Sequence, residues 1–207
     1  VQWIIDLCFA VTEAHSHSII HRDIKPENIV VVDGVPTLID FGLAISTADK
    51  LSNQQSGIAG TISYMSPEQT YSDQSKIGPS TDVFGLGAVL FYLLENQSPL
   101  RAANRGKTTS VQTARQFCGK TIAPLVSNYH CGAVLVRALS NKPSDRYTSV
   151  KQFANALAST QQHKLTYNPH ITKQTVLLII SIFLAVGIWS VLTPGTTDSN
   201  PVPSSSL

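Results

Sequence analysis

Asp23, Lys25, Asn28 and Asp40 lie close together in the chain, set between apolar runs at 19–20, 29–32 and 38–39. A carboxylate among apolar neighbours costs several kcal/mol unless it is paired or has chemical work to do. One reading makes Asp23 and Asp40 salt-bridged structural acids. The other is phosphoryl transfer. That reaction needs a carboxylate to orient an attacking hydroxyl and take its proton. It also needs hard oxygen ligands for Mg²⁺ and positive charge near the moving phosphoryl group. Asp23 suits the first task. Lys25, two residues on along an extended chain, points the same way and can meet the γ-phosphate. Asn28 and Asp40 are oxygen ligands of the kind Mg²⁺ prefers.

These residues need a scaffold that brings 28 and 40 together. Asp33-Gly34 between the apolar runs 29–32 and 37–39 is a hairpin signal, and one hairpin does this. Upstream, Trp3, Ile4, Leu7, Val11 and Ala14 recur at helical spacing, predicting a helix over 1–17. Residues 43–70 are rich in Ser, Thr, Gln and Gly and read as a long loop, a length that is usually functional or disordered. Residues 81–94 are nearly all apolar after Asp82 and predict a helix buried on every side. Residues 96–109 read as loop, 111–117 as a short helix, and 123–140 and 149–160 as helices, Ser149 capping the last.

The chain has 207 residues and a formal net charge of +2, too small to point to nucleic acid. Its 3 Cys, at 8, 118 and 131, are scattered without metal-ligand spacing and read as free thiols in a reducing compartment. His15, His17, His130, His163 and His170 share no spacing and read as surface or core residues.

After a polar linker at 161–174 comes "TVLLIISIFLAVGIWSVL", residues 175–192, without a charge. At 1.5 Å per residue such a helix spans about 27 Å, near the hydrocarbon thickness of a bilayer. Lys164 and Lys173 precede it and no Lys or Arg follows. The expectation is one transmembrane helix in a cell membrane, with residues 1–174 in the cytoplasm and an extracytoplasmic, disordered tail at 193–207. Dimerisation through the span is left open, since no G-x-x-x-G lies there to support it.

"HRDIKPEN" at 21–28 followed by "DFG" at 40–42 resembles the catalytic loop and metal-binding motif of the eukaryotic-type (Hanks-type) protein kinases. Lys25 resembles the serine/threonine branch. The likeness continues in order through "SYMSPEQ" at 63–69, where Ser66 stands for the usual Ala, and "DVFGLGAVLFYLL" at 82–94, with Phe84 and Gly85 where Trp and Ser are common. It ends with Arg146 in "KPSDRYTS" at 142–149.

The resemblance implies a mainly α, kinase-like large lobe over 1–160 with a small β-hairpin, and ATP and Mg²⁺ as cofactors. It implies Asp23 as catalytic base, Lys25 on the γ-phosphate and Asn28 and Asp40 on Mg²⁺. Phe41 and Gly42 support the metal motif, Gly42 letting the loop turn. Thr61 would sit against Asp23 and Lys25 at the peptide edge. Arg22 would meet a phosphate on the activation loop, where Ser46, Thr47, Ser52 and Ser56 are candidate acceptors. His21 would brace the loop, Asp82 would hold the backbone around His21 and Arg22, and Glu68 would pair with Arg146.

No G-x-G-x-x-G or strand Lys of a small, ATP-gripping lobe occurs in the sequence, and the first residue is Val1. The expectation is a piece of a membrane-anchored bacterial-type serine/threonine kinase that binds ATP weakly by itself and leaves apolar surface exposed on the first helix and cleft floor. The alternative is a membrane-tethered pseudokinase or protein-binding module without catalysis.

Overall fold

The computed structural model describes residues 1–40, 62–71, 74–107 and 109–161. The first helix, α1 (Gln2–Ser16), buries Ile4, Ile5, Leu7, Cys8, Val11 and Ala14 along one stripe. These positions recur every three to four residues, so a single face carries the whole apolar load. Beyond it the chain runs extended and then forms a hairpin, β1 (Ile29–Val32) and β2 (Val35–Leu38), paired antiparallel with Ile29 opposite Leu38. Asp33 (φ 51°) and Gly34 (φ 79°) make its two-residue turn. Both are left-handed, which matches the twist of the strands. Pro36 is tolerated inside β2 because, among the described residues, this sheet has two strands and therefore open edges.

The central helix α2 (Pro79–Glu95) buries every residue from Thr81 to Phe91. Such a helix must be surrounded, and it packs against α1, α3 (Pro99–Ala103), α6 (Gly132–Ala138) and α7 (Val150–Ser159). Full burial of a Phe or Leu side chain contributes about 1.5–3 kcal/mol, so this helix dominates the core. Phe84 meets Phe117 edge to face at 5.8 Å. Ser149 caps α7, its Oγ accepting from the Gln152 N–H at 3.2 Å.

Two helical expectations are corrected. Residues 96–109 are not all loop: Ser98 caps the short α3, with Pro99 at its first turn. Residues 123–140 are not one helix but two, α5 (Ala123–Val126) and α6. The break arises where Gly132 packs on the carbonyl of Val126; a Cβ there would lie far inside contact distance. Between α3 and α5, α4 (Val111–Gln116) is capped by Ser110.

Trp3, Val30, Val31, Val32 and Leu93 are exposed apolar residues, and a groove of about 150 Å³ runs between α1, the hairpin and α2. Cys8 and Cys131 are buried free thiols, and Cys118 is half-buried. Among the described residues no helix is long and apolar enough to cross a membrane. The apolar run 175–192, its linker and the tail lie outside the described residues.

Candidate active site

The candidate site lies in the segment between α1 and the hairpin. Arg22 has φ 67°, a left-handed conformation that costs an L-residue roughly 1–2 kcal/mol. Both of its backbone groups are clamped. Its N–H donates to Asp82 Oδ1 at 2.9 Å, and its carbonyl accepts from Gln69 Nε2. Asp82 Oδ2 takes the His21 N–H at 2.9 Å and lies 2.7 Å from His15 Nε2. A buried carboxylate on the first turn of α2 therefore gathers α1 and the residues just before Asp23. The Arg22 side chain is exposed.

His21 is fully buried. Its Nδ1 accepts from the Asp23 N–H at 3.3 Å and its Nε2 lies 3.1 Å from the Ile39 carbonyl. A neutral ring protonated on Nε2 satisfies both. Burial lowers its pKa, outweighing the nearby Asp82 and Asp23 charges.

Asp23 Oδ2 accepts from Lys25 Nζ at 2.9 Å and from Asn28 Nδ2 at 3.2 Å. Asn28 Nδ2 also donates to the Asp23 carbonyl at 2.7 Å. Asn28 closes a tight turn over Pro26–Asn28, and its carbonyl accepts the Ile39 N–H at 2.9 Å, extending the strand pairing by one step. The open end of the hairpin thus sets Asn28 beside Ile39 and its neighbour Asp40, whose φ is 59°. The structure brings Asp23, Lys25 and Asn28 into direct contact and places Asp40 next to them in the backbone. Phe41, Gly42 and Thr61 lie outside the described residues, as do Ser46, Thr47, Ser52 and Ser56.

The donor set suits a hard cation. Asn28 spends Nδ2 on Asp23, which leaves Oδ1 as its oxygen donor, and Asp40 is an exposed carboxylate. Mg²⁺ takes one or two such protein oxygens and completes its shell with phosphate and water.

Glu68 and Arg146 form a bidentate pair, both oxygens at 2.7 Å, with both side chains essentially buried. Thr81 Oγ1 adds a donor to Glu68 at 2.9 Å, and Arg146 also donates to the carbonyls of Ser80, Ser140 and Asn141. Every polar atom of the pair is matched, which is the condition for holding charges in a core.

Sequence reasoning missed three residues here. Ser66 and Gln69 form a capping box, the Gln69 Oε1 accepting from the Ser66 N–H at 3.0 Å and from its hydroxyl at 2.9 Å. The S-x-x-Q spacing was a legible signal. Gln69 then reaches Arg22. His15 carried no signal, because its partner lies 67 residues away.

A helical lobe built on a buried central helix, with Asp23, Lys25, Asn28 and Asp40 at the open end of a small hairpin, is a kinase-like architecture. Residues 2–165 match the protein kinase domain family, and the chain belongs to it. It is 43% identical over 93 residues to PkwA of Thermomonospora curvata, named a probable serine/threonine-protein kinase, covering 45% of this chain and 12% of that one. It is 32% identical over 160 residues to the serine/threonine-protein kinase PknB of Mycobacterium leprae, covering 73% of this chain and 24% of that one. Among solved structures, PpkA-294 in its apo form superposes with a TM-score of 0.54 at 26% identity, covering 76% of this chain and 54% of that one. The chain thus spans about a quarter or less of the length of these curated relatives.

Proposed function

We propose that this chain supplies the large-lobe half of an active serine/threonine protein kinase. The carrying observation is the Asp23 carboxylate held by Lys25 and Asn28 at the end of a backbone clamped by Asp82 and Gln69. The hydroxyl oxygen of a protein Ser or Thr forms a bond to the γ-phosphorus of ATP. The bond from that phosphorus to the β-bridging oxygen breaks, and its electron pair leaves with ADP. The hydroxyl proton passes to Asp23. Lys25, 2.9 Å from Asp23, carries positive charge to the transferred group. Asn28 and Asp40 would hold Mg²⁺, which supplies charge neutralisation on the phosphates when bound.

The Gly-rich loop and strand Lys that grip ATP do not occur in this sequence. The chain alone is therefore expected to bind ATP weakly. Anchoring by 175–192, with residues 1–174 cytoplasmic, belongs to the same proposal. It rests on the uncharged length of that run and on Lys164 and Lys173 preceding it.

The test is phosphotransfer from labelled ATP with Mg²⁺ to a Ser/Thr peptide library. It uses the longest open reading frame that contains this sequence. Asp23→Asn should lower the rate by about 10²–10⁴-fold. A rate unchanged by that substitution would sink the role of Asp23. No transfer by the parent protein would favour a binding module.

A further inference from the structure

Charge is spread unevenly along this chain. Residues 96–144 contain seven of its 15 Lys and Arg and none of its 13 Asp and Glu. The run builds α3, α4, α5, α6 and the loops joining them, and all seven cations are exposed. Arg137 lies over the Tyr147 ring at 4.4 Å. Among the described residues, Arg101, Arg105, Lys107, Lys120 and Lys142 form no ion pair.

A cationic face by itself is often only solvated surface. Here three bonds tie the run to the candidate active site. Thr109 Oγ1, two residues beyond Lys107, lies 3.2 Å from Ser63 Oγ. Arg115, within the same run, donates from Nη2 to the Thr70 carbonyl at 2.6 Å and from Nε to Thr70 Oγ1 at 3.2 Å. Segment 62–71 therefore has the acid-free run along one side. On its other side are Gln69 bonded to Arg22, and Tyr64 and Met65 sharing a crevice with Asp23. The only acid in that segment, Glu68, is buried against Arg146 and offers the cations nothing.

We propose that this face selects protein substrates with Asp or Glu flanking the phosphoacceptor Ser or Thr, with Arg101, Arg105 and Lys107 as the selecting residues. The inference rests on the kinase reading above and adds its substrate class. Exposed charges act weakly one at a time, so Arg101 on α3 and Arg105 and Lys107 just after it must act together. Such attraction fades beyond about 8 Å at physiological salt, which confines it to residues near the acceptor. An anionic membrane would attract the same cations, but the bonds from Thr109 to Ser63 and from Arg115 to Thr70 join their run to the segment that shares a crevice with Asp23, which favours a peptide.

The test is equilibrium binding of fluorescent Ser peptides to the full chain without nucleotide. One peptide is flanked by Asp and Glu, a second by Asn and Gln. Vesicles with and without phosphatidylserine are run alongside. The acidic peptide should bind about ten-fold more tightly at low salt, and the preference should shrink as salt rises. The triple variant Arg101→Glu, Arg105→Glu, Lys107→Glu should lose the preference while melting as the parent does. A milder set with Gln at the same positions guards against misfolding and should lose most of it. Equal binding of the two peptides, or a preference that survives both variants, overturns the proposal. So does a charge dependence seen only with the anionic vesicles. Because no ATP is present, a catalytically silent chain still gives this readout, and the two proposals fail separately.

Discussion

His15 and Asp82, 67 residues apart in the chain, are joined by a 2.7 Å contact between Nε2 and Oδ2. The same carboxylate holds the N–H groups of His21 and Arg22. One acid therefore ties the end of α1 to the backbone that presents Asp23. His15→Phe leaves Oδ2 one donor short and should lower stability by about 1–3 kcal/mol, whereas His15→Gln, which keeps a donor, should recover part of it. Asp82→Ala removes three contacts at once and should also reduce phosphotransfer. Urea midpoints and initial rates check both. A His15→Phe midpoint equal to the parent's would mean that water replaces the imidazole.

Gly85 packs against the segment that carries Asp23. A Cβ at this position would lie 2.9 Å from Ile24 Cβ and 3.2 Å from the Ile24 carbonyl. Ile24 adjoins Asp23, so the loop would have to move. Gly85→Ser should cost about 1–3 kcal/mol as an overpacking change and should lower the phosphotransfer rate. Gly85 thus reads as a packing constraint. Parent-like stability and rate in the variant would remove that reading.

Removing one partner of the buried Glu68–Arg146 pair strands the other charge, at about 3–5 kcal/mol. Arg146→Met and Glu68→Gln should each destabilise strongly, and the double variant by less than their sum. Arg146→Lys should not rescue, since a single ammonium cannot reproduce the bidentate fork. Denaturant unfolding of all four proteins gives the coupling, and strict additivity would show that the pair does not act as a unit.

Stability should depend on pH through His21. Burial holds its pKa below the usual 6.5 in the folded chain. As pH falls, the unfolded chain takes up the proton first, so the unfolded state gains. The His21 contribution is therefore complete above about pH 6.5 and is lost progressively as pH drops towards the lowered folded value. Urea midpoints at pH 7.5 and 5.5 should fall further for the parent than for His21→Gln. Identical falls in both would assign the dependence to other groups.

Much of this chain was legible before folding. The stripe on α1, the apolar run of α2, the Asp33-Gly34 turn and the Ser149 cap are local patterns, in which backbone geometry follows from neighbours a few residues away. The closeness of Asp23, Lys25 and Asn28 was legible for the same reason, being a matter of spacing along one short segment. Other features could only be settled in three dimensions. The helix break before Gly132 depends on the carbonyl of Val126 sitting where a side chain would go. His15 gains its role from a carboxylate on another helix, and Ser63 and Thr70 meet the cationic run only because α4 packs against the turn at Pro67–Thr70. Spacing decides what one segment can do by itself; which buried charge finds its partner, and which face borders the site, is decided by packing between segments far apart in the chain.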